Sequence, residues 1–112
     1  MLCIRCLLAV VLLVASASAS AGAPPKLPPD FQIPQADSSP GPVTFSHATH
    51  VPKTGKCTTC HMKDLKMKRG GSGPITLDAK QEGKYCGACH DGKTSMAGAT
   101  VFAIDECDKC HR

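Results

Sequence analysis

The apolar positions of this chain are gathered at one end. Leu7 to Ala15 is an unbroken apolar run. Met1 to Arg5, with one positive charge, precedes it, and the small-residue stretch Ser16 to Ala21 follows. Crossing a bilayer takes about 20 apolar residues, so the run is too short to be a span. The order charged, apolar, small predicts a secretory signal peptide over residues 1–21, with Ala17-Ser18-Ala19 and Ala19-Ser20-Ala21 as candidate cleavage sequences. An uncleaved N-terminal anchor is the alternative. No Cys stands at the cleavage point, as a lipoprotein would require.

Beyond this segment neither a 3.6-residue nor a two-residue period is sustained. Residues 22–40 are a Pro-rich lead-in (Pro24, Pro25, Pro28, Pro29, Pro34, Pro40), which predicts extended chain and a linker. Phe31 and Ile33, two apart, predict a short edge strand pairing with Val43 to Phe45. Ser46 is placed to cap a short helix carrying His47 and His50. Gly70-Gly71-Ser72-Gly73-Pro74 is a loop. A short helix follows it, capped by Thr76 or Asp78 and ended at Gly83. Asp105 is a candidate N-cap for a last turn holding Cys107 to His111.

Composition sharpens the problem. There is no Trp, one Tyr and three Phe, against 9 Pro and 10 Gly. Such a segment cannot assemble an adequate core from its own side chains, and small domains of this kind rely on disulfides, metals or cofactors. Of the 8 Cys, Cys3 and Cys6 lie in the signal segment. The other six fall in three pentapeptides: Cys57-Thr58-Thr59-Cys60-His61, Cys86-Gly87-Ala88-Cys89-His90 and Cys107-Asp108-Lys109-Cys110-His111. Cys-x-x-Cys-His is the attachment sequence of a covalent c-type haem. Two thiols on one turn add to the two vinyl groups of one haem, and the adjacent His ligates the iron. A disulfide framework would use six Cys without requiring three His.

The reading is therefore a chain with three covalent haems, whose porphyrins supply the missing apolar mass. The proximal ligands are His61, His90 and His111. His47 and His50, at i and i+3, project to one side of their helix and offer distal ligands to two six-coordinate irons. Surface His or a zinc pair is the competing interpretation. Val101, Phe102, Ala103 and Ile104 form an apolar group expected against a haem face.

Charge adds little. The formal net charge is +4, one unit of it from Arg5. The Lys are scattered and lack aromatic partners, which argues against nucleic acid. Haem propionates, about two per haem, would turn the loaded protein mildly acidic. Lys53, Lys56, Lys63, Lys66, Lys68 and Arg69 cluster around the first motif. They either offset propionates, face an acidic partner, or form a solvated face.

These residues, above all Phe45-Ser46-His47-Ala48-Thr49-His50 followed closely by the first attachment motif, resemble the triheme cytochrome c7 family. These are class III multihaem c-type cytochromes related to cytochrome c3. The resemblance covers residues 41–112 as one triheme cytochrome c domain. It implies a small, mostly irregular and α-helical fold, with short helices and an N-terminal β-hairpin, wrapped around three haems. It implies an exported, periplasmic electron carrier with no catalysis of its own and no stable membrane span after signal cleavage. Its partners would be membrane oxidoreductases and other multihaem cytochromes. By position, His47 would be the distal ligand of the first haem and His50 of the second, which leaves the third without a distal His. The family takes that ligand from the segment between the first and second motifs, where this chain has Leu77. Met67 is the leading substitute, Met96 the second, and Met62 the weakest because it adjoins His61. A Met/His haem would have a higher potential than the other two.

Two other functions compete. An open third iron would make a ligand-binding or peroxidase-like haem protein. A zinc ribbon using Cys57/Cys60 and Cys86/Cys89 would leave Cys107/Cys110 and the three His unexplained.

Overall fold

Regular structure comes in very short pieces. The computed structural model describes residues 22–112, so the expected signal peptide lies outside the described residues. The extended lead-in ends in β1 (Phe31–Gln32), antiparallel to β2 (Thr44–Phe45), with Phe31 opposite Phe45 and Gln32 opposite Thr44. Ile33 N–H donates to the Val43 carbonyl at 2.9 Å, so the ladder has the extent expected from Phe31 and Ile33. The Phe31 and Phe45 rings meet at 5.8 Å between centroids. The Arg69 guanidinium lies 4.7 Å over Phe31, tying the loop after the first motif to this hairpin.

Helix α1 (His47–Thr54) follows at once. Ser46 occupies its N-cap with extended backbone, but the hydroxyl makes no capping bond. The Ser46 carbonyl instead accepts from His50. Pro52 lies inside the helix and removes one backbone donor. The helix stops at Gly55, whose φ of 74° lies in the left-handed region and whose N–H closes on the Val51 carbonyl.

Three elements hold the Cys-x-x-Cys-His sequences: α2 (Thr58–His61), a 3₁₀ turn at Tyr85–Ala88, and another at Cys107–Lys109. Glu106, not Asp105, precedes the last of these, while the Asp105 carbonyl accepts from the Cys107 N–H. Helix α3 (Leu77–Gln81) lies between the first and second motifs. Thr76 is its N-cap, accepting from Ala79 N–H at 3.3 Å, while Asp78 sits in the first turn. A second hairpin, β3 (Ser95–Met96) with β4 (Ala99–Thr100), turns through Ala97 and Gly98, both with positive φ. Val43 makes an isolated bridge with His111, joining the two ends of the domain.

Among the described residues no hydrophobic side chain is buried. The one buried residue among those described is Gly87, where the second motif crosses α3. A Cβ at Gly87 would collide with the Lys80 carbonyl, so this crossing admits only glycine. Tyr85, just before it, holds a positive φ of 52°. It is fixed by its N–H to Asp64 Oδ2 at 3.3 Å and its hydroxyl to the Ser72 carbonyl at 3.4 Å. No helix of the described residues is long and apolar enough to cross a membrane.

Two outcomes follow. Gly87→Ala should destabilise the folded protein by about 1–3 kcal/mol, the usual cost of overpacking, measured as a lowered denaturant midpoint. Chain prepared without haem attachment should show no cooperative unfolding transition by far-UV circular dichroism, since it has no side-chain core to melt.

Candidate functional site

All three Cys-x-x-Cys-His stretches close with the same hydrogen-bond pattern. The His N–H returns to the carbonyl of the first Cys, at 3.0 Å for His61, 2.9 Å for His90 and 2.9 Å for His111. The second Cys N–H reaches the same carbonyl at 3.3, 3.2 and 3.2 Å. One helical turn therefore sets the two thiols three residues apart with the imidazole next to them. All six Cys are free of disulfides. Their thiols are available for thioether bonds.

The motifs lie close to one another. Burial raises the Cys60 thiol pKa, and the neighbouring Cys89 and Cys57 raise it further. Burial also raises Cys86; Lys80 opposes this, and Cys110 and Cys60 add to it. The first motif thus neighbours the second, and the second neighbours the third.

The imidazoles fall into pairs. His47 and His61 have ring centroids 6.3 Å apart and planes inclined by 17°. His50 and His90 are also 6.3 Å apart, at 60°. Two metal–imidazole bonds of about 2 Å, with about 1 Å from nitrogen to ring centre on either side, span about 6 Å. Each pair is spaced for one iron between two imidazoles. In the fold His47 thus stands beside His61 of the first motif and His50 beside His90 of the second.

The surroundings suit neutral, oriented ligands. His61 Nδ1 meets the Leu65 carbonyl at 3.1 Å, His90 Nδ1 that of Phe102 at 3.2 Å, and His111 Nδ1 that of Gly41 at 2.8 Å. His50 Nδ1 meets the Ser46 carbonyl at 2.8 Å. In each, Nδ1–H donates to a carbonyl and Nε2 is left as the lone-pair nitrogen, the usual arrangement of a metal-bound histidine. His47 differs, because its Nδ1 is buried without a hydrogen-bond partner. Desolvation lowers its pKa, helped by His61 and His50 and opposed by Asp30. Desolvation also lowers His90. Phe45 packs on both distal candidates, at 5.1 Å from His47 and 4.4 Å from His50, and Phe102 on His90 at 4.3 Å. Asp91 is held ionised, its pKa lowered to about 2 by hydrogen bonds from Thr94 and Lys93, in the turn that follows His90.

Two cavities adjoin these residues. One, of about 510 Å³, runs along Gly87, Ala88 and His90 against Ala103 and Ile104. The other, of about 430 Å³, holds Cys107, Cys110 and His111 together with Ile75 and Leu77. Lys80 and Ile104 border both. Paired imidazoles, free thiols on matched turns and adjoining cavities together fit covalent c-type haem.

Of the Met candidates, none lines the cavity around His111. Met67 is 77% and Met62 76% exposed, and Met96 lies on β3. No group of three or more His, Cys, Asp or Glu gathers among the described residues, so the four-ligand site of a zinc ribbon is not assembled there. The Phe45 clamp was absent from the sequence reading; an aromatic two residues before His47 in a chain so poor in aromatics was the available signal.

No curated protein and no solved structure matches the chain. The family model for cytochrome c7 and related cytochrome c matches residues 43–112, which contain all three motifs and both distal candidates.

Replacing His47 or His50 by Ala should leave one iron with a single imidazole. Each substitution is expected to add about one haem equivalent of high-spin ferric signal in electron paramagnetic resonance, relative to the unsubstituted protein. A variant whose spectrum does not change would remove that His from the ligand set.

Proposed function

The chain belongs to the cytochrome c7 family, and from that membership we propose that it is an exported, periplasmic carrier of electrons on three covalently bound c-type haems. It would move them between membrane oxidoreductases and other multihaem cytochromes. The observation that carries this reading is the pairing of His47 with His61 and of His50 with His90 at one iron's spacing, beside three matched attachment turns. Haem, when bound, supplies a one-electron iron couple.

The chain's own residues do the rest. Cys57, Cys60, Cys86, Cys89, Cys107 and Cys110 fix three porphyrins covalently. The backbone carbonyls of Leu65, Phe102, Gly41 and Ser46 hold the imidazoles as Nδ1–H tautomers, which leaves Nε2 of each to ligate an iron. Cys60 is influenced by Cys89, and Cys86 by Cys110 and Cys60, so the motifs neighbour one another, as passage of electrons within the chain requires. Lys53, Lys56, Lys63, Lys66 and Lys68 flank the first motif in sequence, with Arg69 engaged on Phe31, and among the described residues the one salt bridge, Lys84 with Glu82, involves none of them. In this reading these cations attract an acidic partner to the first haem.

Intact mass and a reductive titration of exported protein test this together. The expected mass is that of the chain cleaved near Ala19 or Ala21 plus three haems, and the expected uptake is three electrons per chain. A mass lacking haem, or an uptake of fewer electrons with three haems attached, would overturn the proposal.

A further inference from the structure

We propose that His47 makes the first of the two histidine-paired centres the easier to reduce, because its Nδ1 has no carbonyl to donate to. This rests on the three-haem reading above and deepens it by ranking two of its centres.

Four of the five histidines share one arrangement. His50, His61, His90 and His111 each direct Nδ1 at a backbone carbonyl, at 2.8, 3.1, 3.2 and 2.8 Å. His47 is the exception, with its Nδ1 buried and no hydrogen-bond partner among the described residues. Its neighbours are aromatic. Phe45 lies edge to face with it at 5.1 Å, and Phe31 stands 6.0 Å away. Neither side chain has an oxygen to accept the proton. The two centres thus differ by one hydrogen bond. The His50–His90 pair makes two such donations, and the His47–His61 pair makes only one.

An imidazole that donates its second N–H to a carbonyl becomes a more basic ligand, and a more basic ligand favours ferric iron. The pair lacking one donation therefore favours ferrous iron. Charges fixed by geometry act in the same sense. The Arg69 guanidinium lies 4.7 Å over Phe31, on the His47 side, and is in no salt bridge among the described residues. The Asp91 carboxylate follows His90 directly and is locked in its turn by the Lys93 N–H, the Thr94 N–H and the Thr94 hydroxyl. A cation favours the reduced iron and an anion the oxidised one. Asp30, acting on His47, and Lys80, acting on Cys86, oppose that order. Charge is therefore divided, and the hydrogen bond decides the ranking.

An electron shared by these two centres should sit on the first about ten times as often as on the second, which is about 59 mV for a one-electron couple. It would then rest beside the motif that the lysines flank.

The test uses exported holoprotein shown by intact mass to carry three haems; failure at that step strikes the three-haem reading and not this one. Resonances perturbed in His47→Ala and in His50→Ala identify the first and second haems. A redox titration followed by nuclear magnetic resonance then gives the share of electrons on each, and the reduced protein gives the imidazole N–H signals. The first haem is expected ahead of the second by that factor, with the His47 Nδ1–H upfield of the other four. Equal shares, or the second haem ahead, would overturn the proposal. So would a His47 signal among the other four, because the loaded protein would then supply an acceptor, a haem propionate included. Arg69→Gln separates charge from hydrogen bonding. The order should survive it, and an order that vanishes would assign the effect to Arg69 and defeat the claim for His47.

Discussion

Everything in this domain depends on a lack of apolar side chains able to bury one another. The one buried residue among those described is a glycine, at the contact between α3 and the second motif. Short hairpins, single turns and an eight-residue helix interrupted by proline do not hold a chain together by themselves. The side chains converge on cavities instead of on each other. The imidazoles of α1 reach to those of the first and second motifs, and the apolar residues of the lead-in, α3 and the 101–104 segment line the space around the third. In such an architecture ligand and core are the same object. A bond from His to iron is a folding contact as much as a redox one.

Much of this was legible in the chain. Three Cys-x-x-Cys-His stretches fix the chemistry because spacing along one turn determines geometry, and the turns indeed share one hydrogen-bond pattern. The N-terminal hairpin was marked by the Phe31 and Ile33 alternation, and α3 by Thr76 and Gly83. The 47/50 pair was visible because i and i+3 share a helix face. That these two imidazoles go to different motifs was not contained in the spacing itself, and entered through the family resemblance.

Other features were hidden for physical reasons. The β3–β4 hairpin has two-residue strands without β-branched alternation, and its turn uses Ala97 where Asn or Asp would have been a signal. Ser46 was expected to cap α1 with its hydroxyl, but its carbonyl is engaged by His50, a contact that residue type does not announce. The Gly87 crossing looked like one glycine among ten; only the approach of the Lys80 backbone distinguishes it. The sixth position of the third site is a question of tertiary placement, which ranking Met67, Met96 and Met62 by sequence position does not address.

Phe45 touches both His47 and His50, and is itself held against Phe31. One ring thus packs on both distal candidates at once. A change at this position would shift the tilt of both imidazoles at once and, on the proposed ligation, both couples. On that ligation the first and second centres would not be separately adjustable through this ring. Selection acting on the potential of one would drag the other along, whereas the centre at His111, supported by the Gly41 carbonyl on the far strand connection, is free to drift on its own.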